Sequence, residues 1–146
     1  MKISTRTRYG ARLMVVLGLH YGKAPVYLKN IAKEENISEK YLTQIIIPLK
    51  SAGLINSFRG AHGGYVLARH PDSISFKEIV ETLEGGLNIV ECVSSPDECR
   101  RISRCVTRDL WCNLGEVISE TLQDTTVGDL AKRCREKKEK AVMYTI

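Results

Sequence analysis

The sequence lacks any apolar run near the roughly 18 to 20 residues that a membrane-crossing helix needs; its N-terminal apolar stretch covers only residues 13–17. It has no C-x2-C pair of the kind found in zinc ribbons. It shows no Ser/His/Asp constellation, no phosphate-cradling loop and no paired carboxylates, and those absences exclude most enzyme chemistries. No internal repeat or low-complexity tract is present, so a solenoid or a disordered array is excluded as well.

The N-terminal "MKISTRTRYGARLMVVLGL" places basic residues ahead of apolar ones, as a secretory signal does. Arg12 borders the apolar stretch, however, and no small-x-small cleavage site follows, so residues 1–21 read as mature structure. With no membrane span, the expectation is a cytoplasmic protein. In that reducing compartment five cysteines, an odd number, point to metal or redox chemistry rather than a disulfide framework.

What is present is a marked charge asymmetry. Residues 1–70 hold 11 Lys and Arg against 3 Asp and Glu, net +8, whereas residues 71–146 hold 11 against 14, net −3. A positive field concentrated on one half calls for a polyanionic partner, with nucleic acid ahead of an anionic membrane surface.

Hydrophobic spacing lays out that half. Ser4 caps a helix with Tyr9, Leu13, Val16, Leu17 and Leu19 on its apolar face and Arg6, Arg8 and Arg12 opposite. A short helix over 28–35 and the turn "ENIS" precede a third helix capped by Ser38, with a kink or local break expected at Pro48, whose ring removes the bond to the Gln44 carbonyl. "LINSFR", "GAHGG" and "YVLA" then read as a β-hairpin. Helix, turn, helix and Gly-rich hairpin is the order of a winged helix-turn-helix, whose second helix enters the major groove of double-stranded DNA. Ser38, Lys40, Tyr41, Thr43 and Gln44 occupy its first turns, where Gln44 can pair with adenine and Thr43 can touch a thymine methyl. Arg59 is placed to enter a minor groove from the wing. His62, Gly63 and Gly64 at the wing, Lys29 on the short helix, and Arg6 and Arg8 complete the DNA-contacting set.

Ser75 and Glu78 form a capping box for a fourth helix that ends at Gly85 and Gly86. An irregular stretch follows with the spacing Cys92-x6-Cys99-x5-Cys105, and Cys112 lies seven residues further. Arg100, Arg101, Arg104 and Arg108 would stabilise thiolates. Taken alone, these thiols leave an iron-sulfur cluster, zinc and redox chemistry open. A long helix over 106–124 carries Leu110, Leu114, Val117, Ile118, Thr121 and Leu122 on one stripe, and Thr126 with Asp129 caps a short last helix before a frayed, charged tail. Cys134, in that tail, reads as a spectator, and Trp111 as a dimer-core residue.

The segments "MKISTRTRYGARLM", "SEKYLTQIIIPLKSAGLI", "SFRGAHGGYVLA", "CVTRDLW" and "TVGDL" resemble the IscR-type family of winged-helix transcription regulators over about residues 1–131. The resemblance implies a mainly α fold with a small β-hairpin: a winged helix-turn-helix over 1–84, a cysteine-rich cluster-binding loop over 85–105, a dimerisation helix and short following helix over 106–131, and the tail over 132–146. It implies a homodimer, Cys92, Cys99 and Cys105 as ligands of an iron-sulfur cluster, a two-iron cluster ahead of a four-iron one, and a repressor of iron-sulfur or iron homeostasis genes. Nitric-oxide or redox sensing, or a structural zinc site, is the alternative. The cysteine-metabolism branch of that family lacks the triad, which sets this chain apart from it.

Two positions depart from the family pattern. Members with a two-iron cluster place a histidine three residues after the third cysteine, where this chain has Arg108, and a guanidinium that stays protonated is no ordinary ligand. Arg8 stands where nitric-oxide sensors carry an acidic ligand. The fourth ligand is therefore open: Asp109 is one candidate, Cys112, two helical turns or ~10.5 Å beyond Cys105, is a weaker one, and the partner subunit or a small thiol is the remaining source.

Overall fold

The computed structural model describes residues 2–145, and among them seven α-helices and one two-stranded antiparallel sheet. Helix α1 (Thr5–Leu19) begins at Ser4, whose hydroxyl accepts the Thr7 N–H at 3.1 Å. Its inner face holds Leu13, Met14, Val16 and Leu17, all buried; each contributes about 1.5 to 3 kcal/mol by leaving water. Two residues let neighbours approach α1 closely: a Cβ on Gly10 would meet Leu83 and Ile45, and one on Gly18 would meet Val127 at 2.8 Å.

Helix α2 (Leu28–Glu35) ends at Asn36 in the left-handed conformation. Helix α3 (Glu39–Ser51) is capped by the Ser38 hydroxyl, which accepts the Tyr41 N–H. It runs through Pro48 without the expected local break. Pro48 lies one turn from the helix end, and Leu49, fully buried beside Ile45 and Ile46, holds that last turn in the core. Tertiary packing here outweighs the single lost hydrogen bond.

Strands β1 (Ile55–Phe58) and β2 (Gly64–Leu67) pair in register from Ile55 with Leu67 to Phe58 with Gly64. The hairpin is tied back to the loop before α2, since Val26 N–H donates to Tyr65 O at 3.0 Å and Tyr65 N–H to Val26 O at 2.9 Å. Helix α4 (Phe76–Glu84) carries the expected capping box and ends on Gly85 at φ 82°. Burial alone would raise the Glu78 pKa, but the Arg69 guanidinium and the Ser75 cap outweigh it and leave it lowered.

The cysteine stretch is more ordered than its sequence announces. It folds as a four-residue helix α5 (Glu91–Ser94) and two 3-10 turns, Pro96–Glu98 and Ile102–Arg104. Helix α6 (Val106–Asp124) spans the expected residues, packing against α4 and α5. Helix α7 (Val127–Thr145) corrects the expectation of a short helix and a frayed tail: it continues for 19 residues. The Ala, Lys, Arg and Glu residues after Asp129 are strong helix formers with no breaker among them, and Lys138 reaches Glu34 at 3.1 Å. The start of α7 is fastened to that of α4, since Phe76 N–H donates to Thr125 O at 2.8 Å and Val127 N–H to Ile74 O at 2.9 Å.

Candidate nucleic-acid interface and cysteine segment

The core fixes the recognition helix. Leu42, Ile45, Ile46 and Leu49 turn inward, which leaves Lys40, Thr43 and Gln44 exposed on the opposite side of α3. Two expected contact residues have local tasks as well. Ser38 spends its hydroxyl on the cap, and Thr43 donates to Glu39 O at 2.9 Å, which satisfies its hydroxyl within the helix. Tyr41 is half-buried, its ring edge-on to Tyr9 at 5.8 Å between centroids. Arg12 lies over that Tyr9 ring and pairs with Glu35 at 2.6 Å, so α1, α2 and α3 are braced by one polar and aromatic chain. Arg6 and Arg8 are exposed on the first turn of α1, Lys29 on the first turn of α2.

Arg59 and His62 are exposed at the wing tip. Gly63 and Gly64 serve its architecture: Gly63 N–H donates to Gly60 O at 3.0 Å, and a Cβ on Gly64, at φ 137°, would stand 2.6 Å from Val26 O. Tyr27 on the preceding loop donates its phenolic hydroxyl to Ala61 O and braces the tip. Lys50 Nζ donates to Ser57 Oγ at 2.5 Å and joins α3 to the wing. Neither Tyr27 nor Lys50 carries a motif by which sequence reasoning could find it.

In the cysteine segment Cys92 sits on α5, Cys99 ends the first 3-10 turn, and Cys105 is the residue before α6. All three, with Cys112 and Cys134, are free and half-buried. The Thr107 hydroxyl, 3.3 Å from Cys105 Sγ, lowers the Cys105 pKa, followed by the Arg108 backbone N–H, with a smaller pull from Arg101. Arg108 itself holds its Nε buried without a hydrogen-bond partner. Among the described residues, no three His, Cys, Asp or Glu side chains gather as a metal-ligand set. Asp109 lies exposed in the first turn of α6, and because that helix starts at Val106, Cys112 stands the full two turns beyond Cys105.

The expected apolar stripe of α6 divides. Leu110, Leu114 and Val117 are exposed, as is Val106. Trp111, Ile118 and Leu122 are half-buried on the neighbouring face with Gly115, and Leu122 packs against the core. Cys134, half-buried on α7, borders a groove with Ala11 and Val15 of α1.

Known proteins share this architecture. The chain is 40% identical to the transcriptional regulator CymR of Bacillus subtilis over 99% of both chains. It is 35% identical to the transcriptional regulator IscR of Vibrio atlanticus over 90% of this chain and 76% of that one. Among solved structures, that of CymR, the global cysteine regulator of B. subtilis, superposes with a TM-score of 0.78 at 41% identity, covering 91% of this chain and 98% of that one. That of T. potens IscR superposes with a TM-score of 0.77 at 38% identity, covering 94% and 90%. Overall likeness thus runs to both branches, because identity weighs every position alike and three cysteines contribute little to it. No helix among the described residues is long and apolar enough to cross a membrane. The profile of the Rrf2 family, described as iron-dependent transcriptional regulators, matches residues 3–133: the chain belongs to this family and is a transcriptional regulator, not an enzyme.

Proposed function

We propose that this regulator acts in the cytoplasm as a homodimer that binds operator DNA through α3 and the wing, represses iron-sulfur or iron homeostasis genes, and senses through a cluster held by Cys92, Cys99 and Cys105. The observation that carries the reading is the placement of Cys105: a thiol held toward thiolate at the N-terminal end of α6, beside Arg108 and on the same segment as two further soft ligands. The donor set fits an iron-sulfur cluster chemically, since thiolates are its usual ligands. The buried, unpartnered Arg108 Nε is a donor suited to a sulfur or another anion. Bringing three thiols onto one cluster requires the segment to close further, and its single turns offer little resistance. When bound, the cluster supplies a redox- and ligand-sensitive centre; a two-iron form is favoured, with Asp109 ahead of Cys112 as fourth ligand.

The exposed Leu110, Leu114 and Val117 are the face on which two copies of α6 would meet. Linkage supplies the mechanism: if loaded and cluster-free dimers present α3 differently, cluster occupancy shifts operator affinity, and DNA shifts cluster affinity by the same factor. Anaerobic titration of loaded and cluster-free protein against an operator selected from random duplexes tests this. Different affinities are expected, and identical ones overturn it.

The 40% identity to CymR favours a second reading, control of cysteine-metabolism genes without a cluster. Protein purified anaerobically with neither iron nor sulfide, and binding upstream of cysteine-metabolism genes, would support it; nitric-oxide response or bound zinc would identify the remaining alternatives.

A further inference from the structure

The outer face of the wing is not a flat sheet surface. In β1 the side chains alternate, so Ile55 enters the core while Phe58 emerges, 55% exposed. Across the sheet, Val66 pairs with Asn56 and faces the same way as Phe58. Tyr21, held edge-on by His70 with ring centroids 5.1 Å apart, closes the third side. Phe58, Val66 and Tyr21 form the apolar part of a broad, open cavity of about 780 Å3 that Lys23, Arg59 and His62 also line, and no carboxylate is among its lining residues in the described chain. Its walls are the turn over residues 22–25 and the wing-tip residues Arg59, Ala61 and His62, two segments joined by the Val26–Tyr65 hydrogen bonds and by the Tyr27 hydroxyl on Ala61 O. Volume, an apolar floor and a few convergent polar groups match a small-molecule site.

We infer that this cavity binds a small amphipathic anion, an aromatic or acyl body bearing one carboxylate, sulfonate or phosphate, and that its occupation competes with DNA. The apolar floor takes the body, and the cationic rim takes the charge. Arg59 and His62 belong both to this rim and to the wing tip that would meet DNA, so a ligand that engages them removes them from the duplex. The competition rests on the proposed DNA contact of the wing; the binding of the anion does not.

The test uses the full-length protein and anilinonaphthalene sulfonate, an aromatic anion whose fluorescence reports apolar binding. A saturable component is expected that weakens about ten-fold in Phe58→Ser, a loss of about 1.4 kcal/mol, and in Tyr21→Ser, but not in the distant Met143→Ser. Circular dichroism confirms that the variants are folded. Duplex DNA bound at low salt is expected to displace that component. Binding indifferent to both floor substitutions overturns the site, and probe retained on DNA-saturated protein overturns the competition. Failure of the protein to bind any duplex would instead sink the DNA reading, with the site still decided by the floor variants.

Discussion

The backbone N–H of Ser4 donates to Glu84 Oε1 at 2.8 Å, across 80 residues of sequence. Ser4 caps the helix that carries Arg6 and Arg8, and Glu84 is the last residue of α4 before Gly85 leads toward the cysteines. One hydrogen bond therefore joins the entry of the cysteine segment to the first turn of α1. The Thr7 hydroxyl, and then Ser4, hold the Glu84 carboxyl below the usual carboxylate range.

A carboxylate lowered in the folded state contributes stability above its unfolded pKa and loses it as pH falls through the folded value. Thermal melts of the wild type should therefore drop more steeply on acidification than those of Glu84→Gln. At neutral pH the variant should melt slightly lower and bind duplex DNA more weakly, because the first turn of α1 loses its anchor. Equal acid slopes would show that the contact carries no linkage.

Contacts on α3 should separate by type. Gln44→Ala is expected to cost about 1 to 3 kcal/mol on the selected operator and to relax preference at one base pair. Lys40→Ala should weaken binding on all sequences alike and lower the slope of log affinity against log salt by about 1. Anisotropy titrations at several salt concentrations distinguish the two.

On α6, Leu110→Asp with Leu114→Asp places two carboxylates on the exposed stripe. If that stripe is the dimer face, sedimentation should give monomer with unchanged helicity, since both residues are exposed on their own chain.

The Thr107 hydroxyl favours the Cys105 thiolate, so Thr107→Val should raise the thiol pKa and move the alkylation profile of metal-free protein to higher pH. Alkylation at pH 7 should slow, as read by peptide mass spectrometry at Cys105. Separately, Asp109→Ala should lower cluster retention more than Cys112→Ser.

In the wing, Gly64→Ala combines a positive φ with a close approach to Val26 O. It should cost roughly 1 to 3 kcal/mol in urea unfolding and loosen the hairpin from the loop before α2.

Elements whose signals are local were legible in the chain. Ser4, Ser38, Ser75 and Thr126 each announce a helix start by a cap that needs only the next three residues, and all four form. The bounds of α2 and α6 likewise follow from apolar spacing. Where local and distant forces compete, the sequence was a poorer guide. Helix α3 continues through Pro48, where the burial of Leu49 offsets the lost hydrogen bond, and α7 continues through a charged end that looks frayed for want of an apolar face, with Lys138 reaching Glu34.

The candidate site divides along the same line. Residue order alone determined that a basic helix-turn-helix precedes a wing, and that three cysteines sit just ahead of a long helix, because periodicity, caps and spacing are properties of neighbours. Only the tertiary structure decided which stripe of α6 faces outward, that Glu84 meets Ser4, that Arg108 buries an unpaired donor, and that Tyr21 and Phe58 line one open cavity beside the wing tip. Those relationships depend on packing between segments far apart in the chain, and no local pattern records them.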